Sequence, residues 1–118
     1  MLELNKALSL PWPPSANRYW RHTGNRVLVS REAKAYKSLI KGLALLWRRK
    51  ALTGRISLHI QAFPPDRRAR DIDNLIKITA DALQDAGLFE NDSQIDKITI
   101  ERMTVVEDGE MLIWLEEI

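Results

Sequence analysis

Two periods of hydrophobic and polar positions run along the chain. Ile56, Leu58, Ile60 and Ala62 alternate with Ser57, His59, Gln61 and Phe63, the period of a half-buried strand, which Pro64-Pro65 must end. Between residues 31 and 50 the period becomes that of a helix. Ala33, Tyr36, Ile40, Leu43, Ala44 and Trp47 share one apolar face, and Lys34, Lys37, Lys41 and Arg48 share another. Ser30 is placed to cap this helix. Leu75, Ile78, Thr79, Ala82, Leu83 and Ala86 predict a second amphipathic helix, starting near Asn74 and ended by Gly87.

Shorter patterns fill the remainder. "LNKALSL" reads as a first strand. "PWPPSANRYWRHTGNR" reads as a stiff, non-helical segment because prolines 11, 13 and 14 keep it extended. "RVLVS" reads as a short strand and "LFENDSQ" as a turn. Two last strands, residues 95–106 and 110–116, are predicted to join through a hairpin at "EDG". The order strand, strand, helix, strand, helix, strand, strand predicts a single α+β domain over residues 1–118. Its expected form is a mixed sheet of four to five strands with two helices packed on it.

Composition narrows the chemistry. At 118 residues there is enough chain for one core. No apolar run is long enough to span a bilayer, and the N-terminus lacks the features of a signal peptide, so no membrane partner and a cytoplasmic location are expected. The absence of cysteine leaves oxygen and histidine as metal ligands, and His22 and His59 lack ligand spacing. The net charge of +2 hides an asymmetry: residues 1–60 carry a balance of +10 and residues 61–118 one of −8. A polyanion-binding first half and an acid-rich site in the second half follow from that division, unless folding interleaves the two.

The segment "DRRARDIDNLIK", residues 66–77, concentrates opposed charge just before the second helix. Asp71 and Asp73 stand two apart, which in extended backbone turns both carboxylates to one side. Either they share a cation or one of them caps the helix. Lys77 pairs with Asp73 along the helix or stands beside a phosphate. Arg67, Arg68 and Arg70 offer forked donors suited to phosphate oxygens, with Asn74 beside them. Arg18 and Arg21, flanking Tyr19 and Trp20, and the helical Lys34, Lys37 and Lys41 are further candidates for contact with nucleic acid. With Asp92 in the later turn, these residues match the needs of phosphodiester hydrolysis: hard oxygen ligands for Mg²⁺ and positive charge for the transition state.

"PWPPSANRYWR" followed by "PPDRRARDIDNLIKITADALQDAGLFENDSQI" resembles the RusA-type Holliday junction resolvases in motif order and spacing over nearly the whole chain. That resemblance implies a homodimeric, Mg²⁺-dependent endonuclease, with Mn²⁺ as a substitute ion, that nicks four-way branched DNA symmetrically. It implies Asp71, Asp73 and Asp92 as catalytic metal ligands and Lys77 as the required lysine. The pattern departs at Asn91, where members often carry an acid. The residues alone leave open a non-catalytic nucleic-acid-binding module, a D-x-D phosphoryl-transfer enzyme and a nuclease of other specificity.

Overall fold

The computed structural model describes residues 2–47 and 50–118. The elements are β1 (Leu8–Leu10), α1 (Ala16–Tyr19), β2 (Trp20–Thr23), β3 (Arg26–Val29), α2 (Arg31–Trp47), β4 (Ile56–Phe63), α3 (Ile72–Asp85), β5 (Ile95–Arg102) and β6 (Glu110–Glu117). The main sheet has the order β1-β6-β4-β5, with β5 parallel to β4 and the other pairs antiparallel. This is the predicted α+β domain with a mixed four-stranded sheet, plus a separate ribbon made by β2 and β3.

The period-two pattern of β4 becomes strict alternation of burial. Ile56, Leu58, Ile60 and Ala62 point inward beside Met111, Ile113 and Leu115 of β6 and Leu8 and Leu10 of β1. Ala33, Tyr36, Ile40 and Ala44 of α2 and Leu75, Ile78, Ala82 and Leu83 of α3 complete the core. Each fully buried Leu or Ile contributes roughly 1.5–3 kcal/mol relative to exposure. Ser30 caps α2 as expected, its hydroxyl accepting from the Ala33 N–H at 3.1 Å. Gly87, at φ 80°, ends α3. The Gly87 N–H donates to the Gln84 carbonyl and the Leu88 N–H to that of Leu83, and this double closure requires a left-handed residue.

Three expectations change. The first strand shrinks to Leu8–Leu10, because Leu4–Lys6 form a 3₁₀ turn. The segment expected to be wholly non-helical contains one helical turn, Ala16–Tyr19, and the strand Trp20–Thr23. The last two strands make no hairpin, for they lie on opposite edges of β4. Pro64 and Pro65 end β4, and the chain from residue 103 first continues along its tip, Met103 N–H donating to the Ala62 carbonyl and Val106 N–H to that of Pro64. It then turns at Asp108 and Gly109, both at positive φ, and returns along the far edge. The turn chemistry of "EDG" is as read; the pairing across it is not. Arg48, assigned to the basic stripe of the first long helix, lies outside the described residues.

Candidate active site

The topology fixes where the acids stand. Because β4 and β5 are parallel, α3 runs back along the sheet between them, and Asp71 and Asp73 sit at its start, after the end of β4. Asp92 follows α3 in the chain and lies back alongside it: its backbone N–H donates to Gln84 Oε1 at 3.1 Å, and it lines one depression with Lys77, Ala80 and Asp81. Among the described residues no three carboxylates or histidines gather closely enough to form a ready-made metal group.

Asp71 occupies the N-cap position of α3, yet its side chain accepts no capping hydrogen bond. Helix capping therefore does not account for it. Asp73 forms no ion pair with Lys77; the Lys77 ammonium lies instead over the Trp20 ring, 5.5 Å from its centroid. Asp71, Asp73 and Asp92 are all exposed, and the described residues give none of their carboxylates a hydrogen bond or ion pair. Asp66 behaves in the opposite way. Arg70 Nη1 stands 2.8 Å from Asp66 Oδ1, and Arg68 donates its backbone N–H to the same oxygen at 3.0 Å. The Arg70 hydrogen bond, followed by that of the Arg68 backbone, holds the Asp66 carboxyl below the usual carboxylate range. The loop thus divides its acids: Asp66 neutralises arginine, while Asp71 and Asp73 remain unpaired.

The basic candidates divide too. Arg67 and Arg68 are exposed on the loop. Arg70 is half-buried, held by Asp66 and placed over Trp12, 5.5 Å from the ring centroid, so its guanidinium serves the loop's own structure. Lys34 and Lys41 are exposed, whereas Lys37 is drawn out of the free stripe by an ion pair with Asp81 at 2.9 Å. Asp81 also accepts from the Tyr19 hydroxyl at 2.6 Å, which joins α1, α2 and α3 at one carboxylate. Asn74 is exposed and lines a cleft of about 360 Å³ with Asp71, Asn17 and Arg70. Lys77, Asp92, Asp81 and Trp20 line a second depression of about 320 Å³, with Ile95 and Ile98 at its side. Arg18 and Arg21 are exposed near the ribbon.

Around Asp92 the sequence holds more than its motif suggests. Gln94 Oε1 accepts the N–H groups of Glu90 and Asn91, each at 2.9 Å, and its amide donates to the carbonyls of Leu52 and Gly54. Asn91 Oδ1 accepts the Ser93 N–H at 2.9 Å, completing a capping box with Gln94. Asn91 is therefore a cap of the turn that carries Asp92. The N-x-x-Q spacing in "LFENDSQ" is a readable signal for that box; nothing in the sequence marks Gln84 or Asp81.

The model of the family described as endodeoxyribonuclease RusA matches residues 11–113. The chain belongs to the endodeoxyribonuclease RusA family. Among curated RusA relatives, the crossover junction endodeoxyribonuclease of Enterobacteria phage 82 is 38% identical over 114 residues, covering 93% of this chain and 92% of its own. That of Escherichia coli strain K12 is 37% identical over 115 residues, covering 94% and 93%. That of Shigella sonnei strain Ss046 is 36% identical over 115 residues, with the same coverage. The RusA resemblance read from the two motifs is thus borne out over nearly the full chain. No helix among the described residues is long and apolar enough to cross a membrane.

Proposed function

We propose that this chain is a divalent-metal-dependent endodeoxyribonuclease that resolves four-way DNA junctions by paired, symmetric nicks in recombination and repair, acting in the cytoplasm as a homodimer. The observation that carries the site assignment is the contrast between Asp66, satisfied by Arg70 and Arg68, and the unpaired carboxylates of Asp71, Asp73 and Asp92. Exposed anions kept clear of nearby arginines are a donor set for a hard cation.

The donor chemistry fits Mg²⁺, with Mn²⁺ as a substitute, because Mg²⁺ takes one or two carboxylates and leaves its other positions to water and phosphate. Asp71, Asp73 and Asp92 would hold it, and when bound it supplies positive charge at the scissile phosphate and acidity to water. Lys77 brings a second positive charge to the depression that Asp92 lines. Arg67 and Arg68 draw the phosphate diester to the loop. Lys34 and Lys41 face solvent on α2, where they meet the backbone of a junction arm, with an affinity that falls steeply as salt rises.

The need for two paired nicks supports the dimer. A two-fold pair of copies can bring the acids of one chain to each nick, and the approximate two-fold symmetry of a four-way junction matches it. The test is a labelled four-way junction and a duplex of the same sequence, each with Mg²⁺ or with EDTA, and the nicks mapped. Paired Mg²⁺-dependent nicks in the junction alone are expected. Asp71→Asn, Asp73→Asn and Asp92→Asn should each lower cutting ~100-fold or more while junction binding persists. Binding by the wild-type chain without cutting would overturn the enzyme reading in favour of a binding module.

A further inference from the structure

The β2–β3 ribbon is not needed by the core. All residues from 21 to 28 are exposed, including Val27 at 60% and Leu28 at 43%. Only the base is anchored. Trp20 and Val29 pack against the core, the Ser30 N–H donates to the Tyr19 carbonyl at 2.9 Å, and the Ser30 hydroxyl donates to that of Arg18. Tyr19, fully buried and bonded to Asp81, fixes that base to α3. The ribbon is thus a small projection with a rigid root.

Its register sorts the side chains. Arg21 lies opposite Leu28 and Thr23 opposite Arg26, and these four share one face; His22 and Val27 lie on the other, continuing from Trp20 and Val29. The first face therefore carries two guanidinium groups, a hydroxyl and an apolar side chain. From Ser15 to Arg31 the sequence holds Arg18, Arg21, Arg26 and Arg31 and no acid, and none of these guanidinium groups is paired among the described residues. Strands of four residues are roughly 13 Å long, and two of them side by side fit a major groove ~12 Å wide.

We infer that this ribbon enters the major groove of a duplex arm of the junction, where Arg21 and Arg26 meet guanine edges and Leu28 meets apolar base surface. The inference rests on the reading of the chain as a junction enzyme and names how that enzyme holds its substrate. Trp20, at the root of the ribbon, also lies under Lys77. The root of the ribbon and the cutting site are therefore joined through one residue, and the position of the arm bears directly on which phosphate reaches Lys77. Arginine at both positions suits base reading, since its planar fork presents two parallel N–H donors to the O6 and N7 acceptors of guanine.

The experiment is dimethyl sulfate protection of guanine N7 on a four-way junction, performed with metal withheld, for the wild-type chain, an Arg21→Ala/Arg26→Ala variant and an Arg21→Lys/Arg26→Lys variant, alongside a salt series of binding affinities. The wild-type chain should protect guanines in the arm next to the nick. The alanine pair should lose that protection and leave the slope of log affinity against log salt nearly unchanged, whereas loss of two phosphate contacts would reduce it by roughly two. The lysine pair should keep part of the protection, because an ammonium also reaches O6 and N7 but lacks the fixed fork of a guanidinium. Wild-type binding without guanine protection, protection unchanged in the alanine pair, or a slope that falls by roughly two in that pair overturns the groove assignment and leaves the enzyme reading standing. Failure of the wild-type chain to bind a junction overturns both. Near-ultraviolet circular dichroism of the variants, matching the wild type, separates these outcomes from loss of fold.

Discussion

The Lys77 ammonium lies over the Trp20 ring, 5.5 Å from its centroid, and not beside Asp73 four residues earlier on the same helix. A cation on an indole face keeps its charge free to act on a third group, whereas a carboxylate partner would cancel it. Trp20 therefore positions Lys77 without neutralising it. In a double-mutant cycle on junction cleavage, Trp20→Ala and Lys77→Ala should couple by roughly 0.5–1 kcal/mol, and Trp20→Phe should recover part of the rate. Additive effects of the two alanines would remove Trp20 from the site.

Gln94 gives a second positioning prediction. Its side chain satisfies two N–H groups and two carbonyls of the segments around Asp92, so its loss frees the turn that aims the carboxylate. On the proposed role of Asp92 in holding Mg²⁺, Gln94→Ala should raise the Mg²⁺ concentration needed for half-maximal nicking by roughly 10–100-fold, as loss of a supporting residue around a metal ligand commonly does. Saturating Mg²⁺ should restore most of the rate. A reduced rate with unchanged Mg²⁺ dependence would point to a general loss of structure instead.

The chain has two tyrosines, and both are pushed above the ordinary phenol range. Burial raises Tyr19, with the Asp81 hydrogen bond adding to it, and burial alone raises Tyr36. A group whose proton is held more tightly in the folded state contributes stability that is complete below its unfolded value and is lost as pH rises toward the folded one. Thermal stability should therefore fall above about pH 10. Near-ultraviolet absorbance should show almost no tyrosinate at that pH until the chain unfolds, and then both together. A smooth titration of either tyrosine near pH 10 in the folded protein would contradict this.

Thr79, 1% exposed on α3, keeps a buried hydroxyl that has no hydrogen-bond partner among the described residues. Val has nearly the same shape and no polar atom to desolvate. Thr79→Val should stabilise the fold by about 1 kcal/mol in denaturant titrations, with cleavage unchanged. A destabilised variant would mean that the hydroxyl has a partner in solution.

The parts of this fold that could be read from the sequence are those where one face is buried. β4 and the two long helices show their periods because each meets the core on one side only. Trp20–Thr23 escaped notice because the ribbon from residue 21 to 28 is exposed on both faces, which leaves no inside and outside to alternate. The order of β5 and β6 was hidden for another reason: Asp108 and Gly109 announce a turn, but only the sheet as a whole decides that β4 lies between the strands. In the loop, Asp66, Asp71 and Asp73 are equivalent as letters. What separates them is the return of Arg70 onto Asp66, a contact made by folding, and this is why Arg70 reads as a phosphate ligand in sequence and as a loop brace in space.

The strand order also governs how the chain behaves when concentrated. An open sheet offers unpaired backbone at both sides, a template for the growth of aggregates. Here one side is β1, only three residues long and followed at once by Pro11. The other is β5, whose edge carries Asp96, Lys97, Glu101 and Arg102, all exposed. Brevity and proline guard one margin and charge guards the other, so the sheet is kept from recruiting further strands.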